Sequence, residues 1–101
     1  MTEIDIDMPD GEDARRATAR IEQVMRAHGL SRISRGTLKT YPGCTHWHYK
    51  LGSKRGTLEI TILPSQPRVW FKVQSGRRAP WIDEMIPRLK AALEQRKSPG
   101  S

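Results

Sequence analysis

Alternation of apolar and polar residues at some places in the chain, and apolar spacings of three to four residues at others, divide it into predicted strands and helices. Ile4, Ile6 and Met8 alternate with Glu3, Asp5 and Asp7, the period of a strand with one wet face, and the pattern ends at Pro9. Asp10 is an N-cap candidate, followed by Glu12 and Asp13 where acids suit the positive end of a helix dipole. Ala17, Ile21, Val24, Met25 and His28 then recur at helical spacing, with Arg15, Arg16, Arg20 and Arg26 mainly off that line, until Gly29 offers a C-terminal stop. Residues 30–43 carry the weakest pattern. Ile33 and Leu38 are candidates for packing inward, and residues 37–41 for an extra short strand turning at Pro42-Gly43.

Three clearer strands follow, at residues 45–51, 57–63 and 68–74, separated by Gly52-Ser53-Lys54-Arg55-Gly56 and Pro64-Ser65-Gln66-Pro67. Their apolar faces are Thr45, Trp47, Tyr49 and Leu51, then Leu58, Ile60 and Ile62, then Val69, Phe71 and Val73. Joining those faces across the two turns sets the register. Trp47 then opposes Ile60, Tyr49 opposes Leu58, Ile60 opposes Phe71 and Leu63 opposes Arg68. The other face falls into three rows: His46, Thr61 and Trp70; His48, Glu59 and Lys72; Lys50, Thr57 and Gln74. A last helix is predicted over residues 79–96, with Pro80 in its first turn and a stripe of Ile82, Met85, Ile86, Leu89 and Leu93, either kinked at Pro87 or starting there. The predicted fold is a single α+β domain over residues 1–96 with a frayed tail at 97–101. It is a two-layer sandwich of order β-α-β-β-β-α, or β-α-β4-α if residues 37–41 pair, with both helices on one face of an antiparallel sheet.

Composition agrees with a globular chain rather than a disordered one: of 101 residues, 36% are hydrophobic and 29% charged. Charge changes the picture more. The formal net charge is +7, yet residues 1–13 hold six acids and no Lys or Arg, so the rest of the chain carries +13. A surface that basic concentrates polyanions, of which nucleic acid is the most abundant in a cytoplasm. The one cysteine, Cys44, allows no intrachain disulfide and no all-cysteine zinc site. With no apolar run of membrane-spanning length and an acidic start, the expected setting is soluble and cytoplasmic, away from membranes.

Candidate chemistry concentrates on the polar sheet face and one corner. Trp70, flanked by His46, His48, Lys50, Arg68 and Lys72, offers a ring for base stacking with cations for phosphates. Arg77-Arg78, just ahead of the last helix, suits an anion. In Cys44-x-His46-x-His48, two imidazoles share one strand face with Glu59 across from His48, a donor set for a metal that lacks a clear fourth ligand, so no metal or cofactor is expected. No glycine-rich phosphate loop, nucleophile elbow or carboxylate pair is present, so catalysis is not expected. The resulting expectation is a small non-enzymatic domain that binds RNA or DNA mainly through phosphates, by the open sheet face and the Arg77-Arg78 corner. The alternative is a protein-interaction domain that forms a homodimer through the Trp70 face.

Overall fold

The computed structural model describes residues 1–8 and 12–95. In chain order the elements are β1 (Thr2–Ile6), α1 (Ala14–Ala27), β2 (Ser31–Leu38), β3 (Tyr41–Lys50), β4 (Leu58–Leu63), β5 (Arg68–Val73) and α2 (Pro80–Glu94), with one 3-10 turn at Ser75–Arg77. The five strands form one antiparallel sheet in the order β1-β5-β4-β3-β2. This is the expected α+β arrangement. Both helices cover one sheet face, where Trp47, Tyr49, Leu58, Ile60, Ile62, Val69, Phe71 and Val73 meet Ala17, Ile21 and Met25 of α1 and Ile82, Ile86, Leu89 and Leu93 of α2.

The central register is the one the apolar faces require: Trp47 opposes Ile60, Tyr49 opposes Leu58, Ile60 opposes Phe71 and Leu63 opposes Arg68. A slip of one residue would turn these side chains to the wrong face. The row of Lys50, Thr57 and Gln74 does not form in the ladder. Strand β4 starts at Leu58, and the Thr57 N–H donates instead to the Arg77 carbonyl at 3.0 Å.

Residues 30–43 depart most from expectation. The strand there is Ser31–Leu38, not 37–41, and β3 begins at Tyr41, so the turn falls at Lys39-Thr40 ahead of Pro42-Gly43. The alternation that would have marked β2 is interrupted by irregularities between Arg32 and Ser34 and between Gly36 and Leu38. A bulge puts consecutive residues out of phase with the two-residue period. Ile33 therefore stays 54% exposed instead of packing inward. Arg32 and Arg35 hold this edge strand to α1 through Glu22, at 2.8 and 3.0 Å, and the Trp47 indole N–H donates to the same carboxylate at 3.0 Å.

Helix α1 is capped by Asp13, whose Oδ1 accepts from Arg16 N at 2.8 Å; the candidate cap Asp10 lies outside the described residues. Gly29 takes φ +81°, the left-handed stop that glycine reaches without strain. Helix α2 runs through Pro87 to Glu94 without a second start. Pro87 is exposed, so water can serve the carbonyl that loses its amide partner. The expected helix end at residue 96 and the tail at 97–101 lie outside the described residues.

Candidate functional site

The sheet face away from the helices divides into two halves. On one, Cys44, Leu63 and Trp70 are buried together, with Leu38 and Tyr41 packed against them. The Tyr41 ring meets Trp70 edge-on at 5.2 Å, and the Arg68 guanidinium lies 4.1 Å over the indole. Trp70 is only 1% exposed, so it is not the open platform on which a base could stack. Leu38 at the end of β2 and Tyr41 and Cys44 of β3 pack against it. Arg68 is engaged too, held by Asp5 at 2.8 Å and Glu3 at 3.5 Å from the neighbouring edge strand. The acidic β1 thus neutralises the basic side of this half.

The second half is polar and still largely buried. Glu59 and Thr61, on the polar side of the central strand β4, are 2% and 0% exposed. His46 Nδ1 is hydrogen-bonded to Thr61 Oγ1 at 2.7 Å, and its Nε2 lies 3.1 Å from Glu59 Oε1 and 3.0 Å from His48 Nε2. His48 Nε2 lies 3.7 Å from the same carboxylate oxygen. The other oxygen, Oε2, accepts from Gln74 Nε2 at 2.8 Å and has Arg77 Nη1 at 3.7 Å. Burial pushes the His46 imidazole below its ordinary 6.5; the Glu59 carboxylate pulls the other way, and His48 adds to the depression. His46, His48 and Glu59 thus present three metal-ligating atoms to one another, all within 4.8 Å.

Beside this cluster lies the basic corner. The turn between β3 and β4 is locked onto the approach to α2: Thr57 N donates to Arg77 O, and the Trp81 indole N–H donates to the Arg55 carbonyl at 2.6 Å. Gly56 sits at φ +103°, where a Cβ would come within 2.7 Å of the Ala79 side chain and 3.1 Å of the Arg77 carbonyl. Only glycine fits both that backbone and that approach. The docking brings Lys54-Arg55 alongside Arg77-Arg78, and all four are exposed. Arg78 pairs with Asp83 at 2.7 Å, and Arg77 Nη1 reaches 3.4 Å from His48 Nδ1. Lys50 and Lys72, half-buried on the same sheet face, make no ion pair among the described residues.

Of the residues singled out from the sequence, His46, His48 and Arg77 gather around Glu59, with Lys72 opposite it in the ladder. Arg78 lies at the corner, while Trp70 and Arg68 belong to the other half. Lys54, Arg55 and Gln74 were not singled out. The roles of Lys54 and Arg55 depend on where two loops dock, which no periodicity in a turn reports, and Gln74, placed by periodicity on the polar face, takes its role from reaching the Glu59 carboxylate. No helix among the described residues is long and apolar enough to cross a membrane. Comparison with protein-family models, with curated proteins and with solved structures finds no match to this chain.

Proposed function

We propose that this domain binds nucleic acid through its phosphate backbone, using the corner formed by Lys54, Arg55, Arg77 and Arg78 and continuing along Lys50, His48 and Lys72 on the sheet face. The observation that carries the reading is the backbone hydrogen bond from Thr57 to Arg77, which brings two separate pairs of cations together. Four exposed cations on two rigidly joined turns suit successive phosphates, because each guanidinium or ammonium replaces a condensed counterion when it meets one. With Trp70 buried, contacts fall on phosphates rather than base faces, and little sequence preference is expected. The acids of β1 orient the ligand by repelling it from the Arg68 side.

Titration of the chain with duplex and single-stranded oligonucleotides across a salt series tests this. Binding is expected at low salt with a steep negative dependence of log K on log salt. Lys54→Ala with Arg55→Ala should flatten the slope on a duplex by about 0.9 for each lost phosphate contact, so by up to roughly two units. Arg77→Ala with Arg78→Ala should cost less, because Arg78 is already paired with Asp83. Absence of binding at low salt, or slopes unchanged in both double variants, would refute the proposal.

A further inference from the structure

We propose that His46, His48 and Glu59 form a binding site for one divalent transition-metal ion of the zinc class, a property beyond nucleic-acid binding that shares only His48 with that surface. The geometry is specific. His46 Nε2, His48 Nε2 and Glu59 Oε1 are separated by 3.0, 3.1 and 3.7 Å. The point equidistant from three atoms so spaced lies about 1.9 Å from each, and zinc–nitrogen and zinc–carboxylate bonds run at roughly 2.0 to 2.2 Å. An ion therefore sits just off the plane of the three atoms with no backbone movement. Two imidazoles and one carboxylate favour zinc and its first-row neighbours over magnesium or calcium, which prefer all-oxygen shells.

The atoms behind the ligands are arranged for the same purpose. With His46 Nε2 on the metal, the proton resides on Nδ1, which donates to Thr61 Oγ1 over the observed 2.7 Å. With Glu59 Oε1 on the metal, Oε2 is held by the Gln74 amide at 2.8 Å. Electrostatics supports the same conclusion. Glu59 is a nearly fully buried carboxylate whose nearest permanent cation, Arg77, stands off at 3.7 Å, and Lys72 across the strand makes no ion pair with it. Buried charge is costly without a close counter-charge, and a dication between the three ligands supplies one. Access is from the His48 side, where the side chain is 25% exposed, and water completes the coordination there. One group opposes binding. Arg77 Nη1 faces His48 Nδ1 at 3.4 Å, and metal ligation through Nε2 places a proton on Nδ1, so the exposed arginine must swing aside.

The test uses the full chain without any added histidine tag, stripped with chelator and dialysed, and titrated with zinc sulfate in competition with a chromophoric chelator. The expected result is one equivalent bound per chain, a zinc-dependent rise in melting temperature, and visible ligand-field bands when Co2+ replaces zinc. His48→Gln, at the most exposed ligand, should lower affinity at least about tenfold and abolish the melting shift while leaving the circular dichroism unchanged. Glu59→Gln should do the same if it folds. His28→Gln, which changes the one other histidine, and Cys44→Ser should leave the stoichiometry at one. Binding below one equivalent, or full binding in a folded His48→Gln variant, would overturn the proposal.

Discussion

Replacing Trp70 by alanine separates a covered tryptophan from a binding platform. The side chain is 1% exposed, enclosed by Cys44, Leu63, Leu38 and Tyr41 and capped by the Arg68 guanidinium at 4.1 Å. A buried tryptophan removes about 150 to 250 Å² from water, which at about 25 cal/mol/Å² is roughly 4 to 6 kcal/mol as an upper bound. The cluster is small and lies near the sheet surface, so partial collapse into the vacancy brings the expected loss to about 3 to 5 kcal/mol. For a domain of this size, with total stability on the order of 5 to 15 kcal/mol, that is a large fraction and a melting-temperature drop of at least about 12 °C. Urea and thermal unfolding followed by circular dichroism measure it, with Trp70→Phe as a milder companion that keeps a ring in place. An exposed stacking residue would instead change stability by no more than about 0.5 kcal/mol and abolish oligonucleotide binding. A stability loss under about 1 kcal/mol for Trp70→Ala would refute the placement of this ring in a covered cluster.

Two further outcomes are expected. Gly56→Ala should destabilise the fold by about 1 to 3 kcal/mol in urea melts, because the residue sits at φ +103° and the new Cβ meets the Ala79 side chain at 2.7 Å; nucleic-acid binding should weaken with it, since the same turn holds Lys54 and Arg55 at the corner. In metal-free protein, stability should fall as pH drops below about 6.5: unfolding frees the His46 imidazole to take a proton that the folded state refuses, so the unfolded state binds more protons in that window. His46→Gln should flatten the dependence just below pH 6.5, above the range where Glu22 and Glu94, both held below their usual 4.5, protonate. An identical slope in the variant would show that another group carries it.

The layout of helices and central strands was legible because it rests on local periodicity. Leu58, Ile60 and Ile62 opposite Trp47, Tyr49, Val69 and Phe71 admit one register that keeps these seven side chains on the helix-covered face, and the structure has that register. Helix α1 was equally plain, since its apolar stripe and Gly29 stop are encoded within its own residues. Strand β2 was not, because its bulges break the two-residue period that would have marked it.

The state of the polar sheet face was a different matter. Period-two alternation says only that Glu59, Thr61 and Trp70 point away from the helices; it does not say whether that side meets water. Burial there was decided by the 31–44 hairpin closing over Trp70 and by Gln74 and Arg77 reaching back to Glu59. The joining of Lys54-Arg55 with Arg77-Arg78 was likewise decided by contacts between segments, the Thr57 to Arg77 and Trp81 to Arg55 hydrogen bonds. Sequence alone determined the register of the three central strands and the excess of positive charge, since both follow from residues read one after another. Only the tertiary structure decided which polar groups are buried together and which cations share a corner, because those depend on contacts between segments that have no periodic relation to one another.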